Sequence, residues 1–354
     1  MKKNLLITGG AGFVGANLAI FFKKRFKNLQ IICFDNLIRQ GSGLNVARLK
    51  ANGITFVKGD IRYKKSLFNL PKIHGVIECS AEPSVLAGYE NPQYTIDTNL
   101  IGTINCLELA RRDQASFLFL STSRVYPIDS INAISSQELK TRFDWNKNLK
   151  ASGISYAGLR EDFSLLGRRS LYGATKLASE HLITEFGDMF GLKTIINRLG
   201  VIAGPWQMGR IDQGIVGYWI ARHYFGGSLK FIGYGGEGKQ VRDVIHVDDV
   251  CELIAYQWGH LNKMSNQIFN VGGGRRNSVS LLELTEMIGR LTKKKIPIGS
   301  EKKERRADVK IYITDNSRVM QETGWVPKKN IEIIILDTYR WIEQNNQRLV
   351  KILA

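Results

Sequence analysis

Short apolar runs alternate along the chain with longer stretches of helical spacing, and the alternation begins near the first residue. The run LLIT (5–8) is cut off by glycines, and FVGANLAIFFKKRF (13–26) then shows an apolar face and a basic end. QIICFD (30–35), ITFVKGDIR (54–62), HGVIECSA (74–81) and SFLFLSTSRVY (116–126) are further strand-like runs. Between and after them, DTNLIGTINCLELAR (97–111) and ATKLASEHLITEF (174–186) carry apolar residues at helical spacing. Strands alternating with helices predict an α/β fold, a doubly wound parallel sheet with right-handed crossovers. The closing stretch IEIIILDTYRWIEQNNQRLVKIL (331–353) has helical spacing and a polar face, which predicts a packing role.

The first strand, turn and helix hold a more specific signal. Gly9, Gly12 and Gly15 stand three apart between the apolar run and the helix. Side chains at the first two would block a tight turn and the close approach of backbone to a pyrophosphate, and the third lets helix and strand pack closely. The helix start then offers unpaired N–H groups to the phosphates. With strand before and helix after, the pattern predicts a dinucleotide site of the Rossmann type. Asp35 ends the second strand, where a carboxylate accepts from the adenosine ribose hydroxyls and repels a 2′-phosphate. NAD is therefore the expected cofactor, with Arg39 as the residue that argues for NADP. Asp60 and Ile61 end the third strand as candidates for an adenine pocket, and Ser80 and Ala81 end the fourth. Phe13, Val14, Asn36, Asn99 and Leu199 complete the set of candidate cofactor contacts. Strand tips of this kind are where open α/β sheets bind ligands.

SLYGATK (170–176) places Tyr172 and Lys176 one helical turn apart and so on one face. A lysine ammonium favours the phenolate, but lowering a tyrosine by roughly three units needs about 4 kcal/mol, too much for one lysine. A positive nicotinamide beside them supplies the second cation, and Thr122, at the end of its strand, offers a hydroxyl to the same substrate oxygen. Thr122, Tyr172 and Lys176 are the candidate catalytic residues, and Tyr172 and Lys176 also face the cofactor.

Composition narrows the field further. At 354 residues with 44% hydrophobic and 23% charged residues, the chain has the make-up of a soluble globular protein of one large or two smaller domains. The net charge of +18 is spread out, with small clusters at 23–27, 293–295 and 302–306. A nucleic-acid binder would concentrate it in a stripe, so none is expected as partner. The N-terminal apolar run is too short for a leader or membrane span, and a cytoplasmic protein with no membrane partner is expected. Cys33, Cys79, Cys106 and Cys251 are scattered, which predicts reduced thiols and no metal site.

TGGAGFVG, the Tyr-x-x-x-Lys pair and the strand STSRVY together resemble the extended short-chain dehydrogenase/reductase family, in its nucleotide-sugar-modifying branch. The likeness covers essentially the whole chain. NRLGVIAGPWQMGRIDQGIVGYW, GEGKQVRDVIHVDDV and FNVGGGRRNSVSLLEL are similar in particular to CDP-tyvelose (CDP-paratose) 2-epimerases. The resemblance implies tightly held NAD, a tyrosinate that takes a sugar hydroxyl proton, and a nucleotide-diphosphate sugar gripped by Arg242, Arg305 and Asp308, with Thr122 on the sugar oxygen. Arginine suits phosphate geometry, so the grip is physically sensible. The implied reaction is epimerisation at carbon 2 through a transient 2-ketosugar, with hydride returned to the opposite face. A UDP-sugar 4-epimerase and a non-catalytic NAD-binding relative are the alternatives. A homo-oligomer, dimer or tetramer, is expected.

The chain also departs from family patterns. Ser123 and Arg124 stand where dehydratase relatives carry an Asp-Glu pair, Val201 where many carbon-4 epimerases carry asparagine, and Glu78 where relatives commonly have histidine. The stretch between Tyr126 and Tyr172 is long for a loop and is read as cover for the sugar pocket. The expected division is an NAD-binding Rossmann domain of residues 1–197 and 244–275, with a smaller mixed α/β substrate domain of residues 198–243 and 276–354.

Overall fold

In the computed structural model, which describes residues 3–149, 151–210 and 212–354, the apolar runs become the strands of one sheet. These are β1 (Lys3–Thr8), β2 (Leu29–Asp35), β3 (Thr55–Lys58), β4 (Gly75–Glu78), β5 (Ser116–Thr122), β6 (Thr194–Leu199) and β7 (Gln267–Val271). Their spatial order is β7-β6-β5-β4-β1-β2-β3. β1 pairs in parallel with both β2 and β4, β2 with β3, and β4 with β5. The chain winds outward in one direction from β1 to β3 and in the other from β4 to β7. The reversal between β1 and β4 leaves a crevice at the strands' carboxyl ends, where doubly wound sheets take their ligands. Leu6, Ile32, Phe34, Val76, Phe117 and Phe119 of the strands pack with Leu107 and Ile183 of the helices in one buried cluster.

The backbone divides into two units. The first contains residues 1–125, 170–198 and 250–269, and the second residues 126–169, 199–249 and 270–354. The first unit is the sheet with its helices α1 (Phe13–Arg25), α2 (Gly102–Asp113) and α3 (Leu171–Phe190).

In the second unit, strand 241–246 pairs in parallel with 201–203 and 311–312 and antiparallel with 278–280, and 229–232 pairs with 298–301. The helix Leu281–Thr292 opens on a reciprocal cap, Ser280 accepting from the Glu283 N–H and Glu283 from the Ser280 N–H. The closing apolar stretch forms two helices, Ile331–Gln344 and Asn346–Leu353, broken at Asn345. Ile331, Ile334, Ile335, Trp341 and Ile342 of the first are buried, in keeping with a packing role.

The 126–169 segment groups with the second unit, so the two units are of similar size and the second is not the smaller one. Hydrogen bonds explain this. The hairpin 136–145 is joined by Arg142 to Ser278 and Glu283, and by Arg275 to Asp144. The hairpin 154–159 is joined by the Leu159 N–H to the Ile313 carbonyl and by Ser155 to Asp315. The segment read from sequence as a cover is, by its bonds, a built part of this unit.

Candidate functional site

The glycine turn runs from β1 into α1. Gly9 has φ of +60°, and a Cβ on Gly15 would lie 2.2 Å from the Gly9 carbonyl oxygen, so the turn closes only with hydrogen at that position. No side chain caps α1 at Gly12, which leaves its first N–H groups facing outward from the turn. Phe13 and Val14 stand half-exposed in that first helical turn. Asp35 accepts from the Ala11 N–H at 3.1 Å and the Leu37 N–H at 2.8 Å, which ties the tip of β2 to the turn. Burial raises its carboxyl above the usual range, against the pull of those amides.

Beside it, Asp60 pairs with Arg62 at 2.7 Å and accepts from Asn36 at 3.0 Å. Burial works against the charge of Asp60, yet these partners hold its carboxyl below the ordinary range. Arg39 lies just past β2, with its carbonyl accepting from Ser42. Ile61 is buried, Ser80 and Ala81 follow β4 half-buried, and Leu199 is buried at the end of β6.

Asn99 differs from its expected role. It sits in a π-helical turn, Asp97–Ile101, a feature that accompanies functional sites. Its amide accepts from the Glu82 N–H at 2.8 Å and donates to the Glu82 carbonyl at 3.0 Å and to Thr175 at 3.3 Å. Those bonds commit it to the protein, where it fastens the loop after β4 to α3.

α3 begins at Ser170, whose hydroxyl accepts from the Gly173 N–H. Tyr172 and Lys176 follow on its buried face, and Thr122 closes β5. Gly173 gave no signal in the sequence, yet a Cβ there would lie 2.1 Å from the Arg124 carbonyl oxygen. Its absence lets the helix rest on the backbone that follows Thr122, and the Thr122 hydroxyl stands near enough to the Tyr172 phenol to favour its ionised form. Below them Glu180 of α3 grips Arg198 of β6 at 2.7 Å and accepts from Ser121 of β5 at 2.5 Å, all three buried. This ion pair pins the helix to two strands.

The electrostatics correct the simple picture of a lysine-activated tyrosine. Burial pushes the Tyr172 phenol up to about 12, with Thr122 and the charge of Arg124 pulling the other way. Lys176 is 1% exposed; its ammonium lies 3.7 Å from the Glu78 carboxylate and 3.7 Å from the centre of the Phe119 ring. Burial lowers the Lys176 amine and raises the Glu78 carboxyl, each partly offset by the other's charge. The lysine's charge is thus engaged with a carboxylate, and the charges that act on the phenol come from Arg124, Glu78 and Glu82.

In the second unit, Arg242 donates to Asp308 at 2.6 Å and to the Val309 and Val241 carbonyls, each at 2.7 Å. Asn132 donates to the Asp308 carbonyl and accepts from the Lys310 N–H, which anchors the same strip. Arg305 is half-buried three residues before Asp308. Arg242 and Asp308 are therefore brought together, as partners of each other.

The NAD dependent epimerase/dehydratase family profile matches residues 5–272. The chain belongs to that family. It is 30% identical over 352 residues to the CDP-paratose 2-epimerase of Salmonella typhi, covering 95% of this chain and 98% of that one. It is also 30% identical to the UDP-glucuronate 4-epimerase of Thermodesulfobacterium geofontis, covering 96% of each chain. Among solved structures, the UDP-glucose 4-epimerase of Thermus thermophilus in complex with NAD superposes with a TM-score of 0.76 at 26% identity, covering 96% of this chain and 99% of that one.

The chain is an NAD-dependent epimerase by family, and the first unit suits that cofactor. The glycine turn leaves room for a pyrophosphate, and Asp35 still has lone pairs for ribose hydroxyls. No group of metal-ligating side chains occurs among the described residues, and no helix among them is long and apolar enough to cross a membrane.

Proposed function

We propose that the chain inverts carbon 2 of a CDP-linked 3,6-dideoxyhexose, interconverting CDP-paratose and CDP-tyvelose. Bound NAD supplies a hydride acceptor that also gives the hydride back, so no net redox change occurs. Tyr172 takes the proton of the hydroxyl being oxidised and returns it to the ketone oxygen, and Thr122 holds that oxygen. Lys176 adds positive charge beside the phenol, which together with the nicotinamide offsets the cost of burying a phenolate. Arg242 and Arg305, with Asp308 orienting Arg242, hold the diphosphate while the sugar turns its other face.

One observation carries the reading. Thr122 is followed by Ser123 and Arg124, with no carboxylic acid at those two positions to remove water from the sugar. That arrangement supports proton exchange with one hydroxyl and speaks against dehydration. The Salmonella typhi relative supports carbon 2 and a CDP sugar. The second reading, a UDP-sugar 4-epimerase, draws on the Thermodesulfobacterium geofontis relative, which matches at the same identity.

Incubation with CDP and UDP sugars, followed by NMR of the products, separates the two readings by the carbon inverted. Tyr172→Phe is expected to abolish turnover while NAD stays bound. Substantial epimerisation by that variant would remove Tyr172 from the mechanism.

A further inference from the structure

Glu78 is a fully buried carboxylate for which the proposed chemistry has no use. It ends β4, beside the crevice of the sheet, and is 0% exposed. Its Oε2 lies 3.7 Å from the Lys176 ammonium and 3.4 Å from the Thr103 hydroxyl, while its Oε1 has no hydrogen-bond partner among the described residues. Burying this carboxylate costs stability, which the Lys176 charge, the Thr103 hydroxyl and the Ser80 N–H offset in part.

We propose that Glu78 is a positioning residue that sets the charge balance of the Tyr172–Lys176 site, holding the lysine and fixing the pH at which the tyrosine can give up its proton. The inference rests on the reading of Tyr172 as the proton-exchanging group.

Charge balance sets the direction of the effect. With Glu78 and Lys176 both ionised, their pair is neutral, and ionising Tyr172 leaves one net negative charge in a buried place. Without Glu78 the same step takes the three-residue site from one positive charge to none, a far smaller electrostatic cost. Bound NAD would bring the same charge to both proteins, a positive nicotinamide ring included, so the order is preserved in the holoenzyme. The groups are coupled, and the expected fall applies to the proton that leaves Tyr172 while Lys176 keeps its charge.

The other facing groups do not change between the two cases. Arg124 comes from the backbone after β5, Glu82 from the loop after β4, and Glu180 from α3. Cys79 beside Glu78 and Cys106 on α2 are held as neutral thiols by burial. In this scheme Glu78 makes the tyrosine a stronger base at the expense of a higher ionisation pH, and it favours the oxidised, positively charged cofactor between turnovers.

The test is a tyrosinate absorbance titration of NAD-loaded protein, for wild type and Glu78→Gln, each differenced against its own Tyr172→Phe partner. The midpoint is expected to fall by about one pH unit or more in Glu78→Gln. The acid limb of kcat/KM should move the same way, a shift that a merely structural role would not produce. An unmoved or raised midpoint overturns the proposal. The titration needs no sugar, so failure to turn over any nucleotide sugar would sink the proposed function without deciding this question. Should Glu78→Gln fail to fold, Glu78→Met, which fills a similar volume without a polar atom, is titrated in its place: the midpoint should again fall, and an unmoved or raised midpoint overturns the proposal.

Discussion

Gly173 offers the sharpest test of how the site is built. A methyl group at this position would sit 2.1 Å from the Arg124 carbonyl oxygen, about 1.3 Å inside ordinary contact. The obstacle is backbone on both sides, since α3 and the residues after β5 carry it, so no side chain can swing aside. Gly173→Ala must therefore push the head of α3 away from the end of β5 by most of that distance. Tyr172 precedes the substituted position and Thr122 lies two residues before Arg124, so the displacement falls on the approach of their two hydroxyls. A misplacement of about 1 Å in reacting groups costs roughly 100-fold, or about 2.7 kcal/mol of barrier. Overpacking adds about 1–3 kcal/mol to the loss of stability.

The assay is kcat/KM by product NMR, with NAD content and a thermal melt measured on the same preparation. NAD should be retained, because the glycine turn lies on α1. Gly43→Ala is the matched control: it lies in the helix Ser42–Ala51, and its added methyl would meet nothing within 4 Å. It should leave activity unchanged and stability equal or slightly higher. If Gly173→Ala turned over like the wild type, the claim that close helix approach sets the Thr122–Tyr172 geometry would be wrong.

Other expectations follow from buried charge. Arg198→Met strands Glu180 without its partner and should cost about 3–5 kcal/mol in denaturant unfolding, whereas adding Glu180→Met should recover much of it; equal losses in the single and double variants would contradict the pairing. Burial lowers His246 from 6.5 to about 4 despite the attraction of Asp248 and Asp337. Its contribution is fully present above pH about 6.5 and lost as pH falls through about 4, roughly 3 kcal/mol in all. His246→Gln should flatten the acid limb of stability, and an unchanged limb would place the acid sensitivity elsewhere. With Arg242 proposed to hold the diphosphate, Arg242→Ala should raise KM about 10- to 100-fold with kcat nearly unchanged; a loss confined to kcat would move Arg242 out of the nucleotide grip.

Much of this protein is visible in its sequence because the signals are local. Whether a run of four or five apolar residues ends at glycines, and whether an amphipathic turn follows, is decided within a dozen positions, so the strands, the dinucleotide turn and the helix that carries Tyr172 and Lys176 could be read directly. The closing helical stretch was legible too, apart from its break at Asn345. What surrounds a side chain is not local. The helix needs glycine at 173 because of a carbonyl at 124, and Lys176 meets Glu78 across nearly a hundred residues of chain. The grouping of 126–169 with the second unit depends on Arg142, Arg275 and Leu159 finding partners more than a hundred residues away. Spacing along the chain nominated the candidate groups; their protonation and exact placement were decided by burial and by partners that only folding brings near, because desolvation and Coulomb forces act through space and take no account of sequence separation.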